Sequence, residues 1–158
     1  MHVKKQRSAR FRALATNRKA FYDYEILERI EAGLVLYGTE IKSIRDGRVS
    51  IRESYARPKN GELWLVGAHI ALYPAAGIYN HDPVRPRKLL LHRDQLAELT
   101  ASVNQKGLTI VPLSLYIKNH VAKIELGLAR GKRQYDKRRT IIDREQDREA
   151  RRALQRAH

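Results

Sequence analysis

Apolar and polar positions alternate through Tyr24, Ile26, Glu28 and Ile30, and again through Leu34, Leu36 and Gly38 beyond Gly33. Period-two patterning predicts two strand segments meeting at a turn or bulge near Gly33. From Thr39 to Arg45 the period changes, with Ile41 and Ile44 three apart; Thr39 suits a helix start and Asp46-Gly47 a stop. Residues 54–57 and 62–70 are strand-like and flank Asn60-Gly61, a pair that tolerates positive φ and so predicts a tight hairpin. Pro74, Gly77, Pro83 and Pro86 make the segment between them a long loop of the kind that is functional or mobile in a compact domain. After the apolar run Leu89, Leu90, Leu91, a helix is expected in which Leu96, Leu99 and Val103 share one face and Gly107 provides the stop. Residues 108–117 and 121–128 read as two strands joined at Lys118-Asn119-His120.

Six or so short strands, two or three short helices and no βαβ rhythm predict a mainly β fold, an OB-like antiparallel barrel. From Arg130 the apolar content collapses; Ile142, Ala150 and Leu154 have helical spacing but are too few to bury a face. A basic tail, disordered when free, is therefore expected. Glu145 with Arg148, Asp147 with Arg151 and Glu149 with Arg152 would support a helix once the tail is bound. The expected organisation is a basic arm over 1–16, a barrel over 17–129 and the tail over 130–158.

Charge sharpens this division. The chain of 158 residues carries a net +15. Of this, +7 lies in residues 1–19, +6 in residues 130–158 and only +2 between them. A nearly neutral body with cationic ends points to a polyanionic partner, because a surface built for solubility intersperses its signs. A basic N-terminal stretch without an apolar run is not a secretory signal, and no segment reaches the length of a membrane span. The absence of cysteine suits a reducing compartment, so a cytoplasmic protein is expected.

Enzymatic constellations are missing. None of His2, His69, His81, His92, His120 and His158 stands at the spacing of a metal-ligand pair. There is no nucleophile elbow or phosphate loop. Neither metal nor cofactor is predicted, and the chain is expected not to be an enzyme. Basic residues do stand beside aromatic ones, the combination that holds unpaired RNA. Arg18 and Lys19 precede Tyr22 and Tyr24; Arg85, Arg87 and Lys88 follow the proline loop; Tyr135 lies among Lys132, Arg133, Asp136, Lys137 and Arg138. Tyr22 and Tyr24 suit packing at a strand edge as well as base contact, whereas Tyr135 has no core to pack on.

Several segments stand in an order that resembles the SmpB family of bacterial SsrA-binding proteins: Asn17 to Ala20, Glu31-Ala32-Gly33, Gly38 to Arg45, Arg85 to Leu91, Gly127 to Lys132, and Asp136-Lys137-Arg138. The resemblance implies an OB-like barrel that binds the tRNA-like domain of transfer-messenger RNA (tmRNA, SsrA RNA). It implies delivery of that RNA to stalled ribosomes for trans-translation. Alanyl-tRNA synthetase and elongation factor Tu would be met through the charged complex, with the protein a monomer. Asn17, Glu31 and Leu90 would lie on the RNA-binding face, together with Arg18, Lys19, Tyr24, Lys42, Arg45, Arg85, Arg87 and Lys88. The tail would enter the empty mRNA channel of the small subunit, with 16S rRNA around it, and place Lys132, Arg133, Tyr135, Asp136, Lys137 and Arg138 at the decoding centre. Some members carry histidine where Tyr135 stands; an aromatic ring is kept, an imidazole is not. On the residues alone, Glu31 also suits a turn carboxylate before Gly33. The charge pattern by itself also fits a small ribosomal protein or a general single-strand binder.

Overall fold

The computed structural model describes residues 12–132 and 134–156. Residues 1–11, Arg133, the side chains of Gln134, Tyr135 and Asp136, and the last two residues lie outside the described set. The elements, in order, are β1 (Ala13–Thr16), α1 (Arg18–Asp23), β2 (Tyr24–Leu34), α2 (Gly38–Arg45), β3 (Val49–Ser50), β4 (Tyr55–Lys59), β5 (Glu62–Val66) and β6 (His69–Ile70). They are followed by a 3-10 turn (Pro74–Tyr79), β7 (Arg87–Leu90), α3 (Arg93–Lys106), β8 (Thr109–Lys118), β9 (Val121–Gly131) and α4 (Gln134–Arg156).

All pairings are antiparallel. The main sheet runs β1-β8-β4-β5-β7-β2-β9, and β8 also pairs with β9. The six strands from β8 through β9 therefore close on themselves. Closure removes the exposed edges that would otherwise template aggregation. β8 pairs along one edge with β9, and its other edge is shared by β4 at Ile110 and β1 at Ser114 to Tyr116. The core collects Ile44 from α2, Leu99 from α3, and Leu63, Leu89, Ile110, Leu115, Ile124 and Leu126 from the barrel, all essentially without solvent contact. A short ladder of β3 with β6 completes the β structure.

Turn chemistry fixes the hairpins as the residues predict. Asn60 and Gly61 both have positive φ, as do Asn119 and His120, and such turns match the right-handed twist of the strands they join. Gly107 caps α3 in the left-handed conformation. Gly67, at φ +84°, ends β5; an added Cβ would stand 2.8 Å from the Glu53 carbonyl oxygen, so only glycine fits.

Four expectations need correction. The turn foreseen at Gly33 does not exist: β2 is one strand of 11 residues, and its bulge comes earlier, between Ile26 and Glu28. Pairing with β9 from Tyr24 to Gly33 holds the strand straight through that glycine. The arm assigned to residues 1–16 gives up Ala13–Thr16 to β1, because β8 offers an edge that β4 leaves unpaired. The barrel also runs past residue 129, since β9 pairs through Gly131. Finally, the tail expected to lack structure on its own forms a helix of 23 residues, α4. Its first turns have a surface to pack on, described below.

Candidate nucleic-acid interface

Three groups of side chains gather the residues singled out by the sequence. The first lies across the outside of the barrel. Leu90 on β7 pairs with Gly33 on β2, Gly33 with Lys123 on β9, and Lys123 with Tyr116 on β8, which makes one row across four strands. Partners in register point to the same side of a sheet. A Cβ at Gly33 would meet Leu90 at 3.4 Å and the Lys123 Nζ at 3.8 Å, so the missing side chain leaves a shallow saddle between them. Two residues along β2, the Glu31 carboxylate accepts a hydrogen bond from the Tyr116 hydroxyl and faces Lys118 Nζ at 3.6 Å. Burial and the neighbouring Glu31 carboxylate push the Tyr116 phenol far above its ordinary range, so it stays a donor at any physiological pH. Leu90 is 51% exposed, so its side chain offers an apolar contact on the outside of the barrel. Lys88 lies two residues from it on the same strand and pairs with Glu62 at 2.9 Å.

The second group surrounds α2. Glu40 is wholly buried and receives three donors: the Tyr37 backbone N–H at 2.8 Å, Arg87 Nε at 2.7 Å, and Arg85 Nη2. Burial pushes the Glu40 carboxyl up, but its bonds to Arg85, Tyr37 and Arg87 outweigh that and hold it below the usual carboxylate range. Arg87 is 0% exposed and spends its remaining donors on the carbonyls of Ala68 (2.8 Å), Pro83 (3.0 Å) and Asp82 (3.3 Å). It therefore ties the proline loop to α2 and is removed from the expected RNA-contacting set: each of its three nitrogens is already bonded to a protein oxygen, and none is open to solvent. Arg85 is mostly buried and stacks its guanidinium 4.2 Å from the centre of the exposed Tyr37 ring. Lys42 and Arg45 stay on the surface of α2, Lys42 over the Tyr73 ring.

The third group lies at α1. Asn17 is only 2% exposed; its Oδ1 accepts the Ala20 N–H at 3.2 Å and caps α1, while its Nδ2 donates to the Pro112 carbonyl at 2.9 Å. Both ends of the amide are satisfied internally, so the direct RNA contact expected of Asn17 gives way to a positioning role. It sets α1 on the bulge of β8, and that presents Arg18 to solvent and Lys19 to Glu53 at 3.0 Å. Tyr24 is half-buried and packs against the small apolar cluster formed by Ala20, Val111, Leu113 and Ala129. α4 is anchored here too. Lys132 Nζ donates to the Phe21 carbonyl (3.0 Å) and the Thr140 hydroxyl (2.9 Å), and Lys137 pairs with Asp23 at 3.3 Å beside the Tyr22 ring. Of the remaining tail residues, Arg138 is exposed, whereas Arg133 and the side chains of Tyr135 and Asp136 lie outside the described residues.

Sequence reasoning missed Lys123, Tyr116 and Tyr37. The alternation of β9 carries a signal for Lys123, since Ala122 and Ile124 face inward on either side of it. Tyr37 had no periodic signal, because it precedes the helix rather than lying on its face. Among the described residues no cluster of potential metal ligands occurs, and no helix is long and apolar enough to cross a membrane.

A small closed barrel with an amphipathic outer row, exposed cations at α1 and α2 and a cationic helix leaving one end defines a nucleic-acid-binding class of protein. Comparison with known proteins makes this particular. Residues 14–156 match the family described as SmpB protein. The SsrA-binding protein of Ligilactobacillus salivarius is 55% identical over 142 residues, covering 90% of this chain and 92% of that one. The SsrA-binding protein of Carboxydothermus hydrogenoformans is 55% identical over 141 residues, covering 89% and 95%. A chain from the solved structure described as "tmRNA-SmpB: a journey to the center of the bacterial ribosome" superposes with a TM-score of 0.64 at 49% identity, covering 80% of this chain and 92% of its own. The chain belongs to the SmpB family.

Proposed function

We propose that this protein binds the tRNA-like domain of tmRNA and delivers it to stalled ribosomes for trans-translation. The observation that carries the reading is family membership over residues 14–156, in a chain whose positive charge lies mainly at its two ends. The protein acts as a cytoplasmic RNA-binding monomer without catalytic activity of its own. It meets alanyl-tRNA synthetase and elongation factor Tu through the charged tmRNA. The barrel row of Leu90, Lys123, Tyr116 and Glu31, with Arg18, Lys19, Lys42, Arg45 and Lys88 around it, supplies the RNA face. Lys118 and Tyr116 already neutralise and polarise Glu31, which makes its remaining lone pairs suitable acceptors for a 2′-hydroxyl or base amino group.

The cationic tail acts in the mRNA channel and decoding centre. A message and the tail compete for one rRNA-lined space, so only ribosomes whose channel is empty admit the tail. Replacing Tyr135, Lys137 and Arg138 together with alanine is expected to leave tmRNA affinity nearly unchanged while abolishing peptide tagging in a reconstituted system. Loss of RNA binding in that variant would remove the division of labour between barrel and tail.

A further inference from the structure

We infer that Tyr37 is a base-stacking platform, which takes an unpaired nucleobase of the bound RNA on the ring face opposite Arg85. The inference rests on the RNA-binding reading and adds a contact which that reading does not contain.

Tyr37 is 60% exposed. A single exposed aromatic ring is ordinary on a protein surface; what distinguishes this one is how it is held. Its backbone N–H is bound to Glu40 at 2.8 Å, which fixes the residue at the start of α2. One face of the ring is occupied by the Arg85 guanidinium at 4.2 Å. That guanidinium is itself fixed by Glu40, by the Val35 carbonyl (3.4 Å) and by the Pro86 carbonyl (3.3 Å). Glu40 is in turn locked by the buried Arg87. A fully buried ion pair is expensive to build, and here it orders an exposed ring that joins neither apolar core cluster.

An ordered ring has little rotational freedom left to lose when a flat partner lands on it, so stacking adds to affinity almost undiminished. Beside the ring, Gly38 is open: a Cβ there would meet nothing within 4 Å, which leaves room for a nucleotide. Exposed Lys42, Arg45 and Arg48 follow on α2 and its C-terminal turn, where they can neutralise the flanking phosphates. A guanidinium below an aromatic ring, an open face above and lysine and arginine around it is the chemistry that selects an unpaired nucleotide. An apolar protein segment would have no use for those cations.

The test uses the full chain and a transcript of the tRNA-like domain, with an unstructured RNA as competitor. Tyr37→Ala and Tyr37→Leu are expected to weaken binding by roughly 10- to 100-fold, while Tyr37→Phe stays within about twofold, because stacking needs only the π-face. The dependence of log affinity on log salt is expected to keep its slope in Tyr37→Ala, whereas Arg45→Ala lowers it by about one. Tyr37→Trp adds a fluorophore to a chain that otherwise carries only Trp64, and its emission is expected to be quenched on RNA addition. Wild-type affinity in both Tyr37→Ala and Tyr37→Leu, or an unquenched Tyr37→Trp that binds normally, would overturn the platform. If instead the wild-type chain itself shows no preference for the tRNA-like transcript, the functional reading falls and the platform with it.

Discussion

Glu40 joins α2, β7 and the proline loop with a single carboxylate, through its pairs with Arg85 and Arg87. Removing one member of a buried pair leaves an uncompensated charge, which costs about 3–5 kcal/mol. Glu40→Gln is therefore expected to lower unfolding free energy by that amount in urea titrations at pH 7. The pH dependence follows from the direction of the shift. The folded-state carboxyl is held below its ordinary value of 4.5, so its contribution is complete above that pH and is lost as pH falls through the lower, folded value. Wild type is thus expected to lose more stability between pH 5 and pH 3 than Glu40→Gln does. Parallel losses in the two proteins would assign acid sensitivity to other carboxylates. At the same scale, Arg87 and Asn17 show why residue type alone misleads: an arginine after a proline loop and an asparagine before Arg-Lys have the chemistry of RNA contacts, but their donors face inward.

Among the elements, α4 is the one whose state depends most on its neighbours. Its residues from 141 to 156 are all exposed, and charge pairs at i, i+3 and i, i+4 add only about 0.2–0.5 kcal/mol each. A helix with so little burial is marginal on its own. What fixes its start is the joint with α1, where Lys132 reaches the Phe21 carbonyl and Thr140, and Lys137 reaches Asp23. The double change Lys132→Ala with Asp23→Asn is expected to abolish amide-exchange protection at 138–141 and leave the barrel strand around Leu126 as protected as before. Unchanged protection at the helix start would mean that α4 holds itself in place. This joint explains why a sequence-level reading of the tail as disordered departs from the helix observed: the tail supplies too few apolar residues, and its anchors are carbonyls and a carboxylate on a different element.

For the molecule as a whole, the separation of charge governs how it meets RNA. Lys4, Lys5, Arg7 and Arg10 precede the first described residue. If each neutralises a phosphate, deletion of residues 2–11 reduces the slope of log affinity against log salt by up to about 3.6. An unchanged slope, measured with the tRNA-like transcript, would show that residues 2–11 neutralise no phosphate of the bound RNA. Closure of the barrel belongs to this scale as well, because it holds Leu90, Gly33, Lys123 and Tyr116 in a single row although they lie as far apart in sequence as residues 33 and 123.

Local pattern determined most of the elements. Asn60-Gly61 announces its hairpin because few residues accept positive φ, and the junction at Lys118-Asn119-His120 announces the second by lying between two alternating runs. Leu96, Leu99 and Val103 with Gly107 announce α3, and the alternation of residues 108–128 announces β8 and β9, because burial of one face imposes a period on the chain. Net charge and its partition likewise need no structure. The course of β2 through Gly33, the recruitment of Ala13–Thr16 as β1, the inward turn of Asn17 and Arg87 and the Arg85–Tyr37 stack were decided only by the tertiary structure. Each depends on a partner tens of residues away, and a local period carries no information about which donor will find which distant acceptor once the barrel closes.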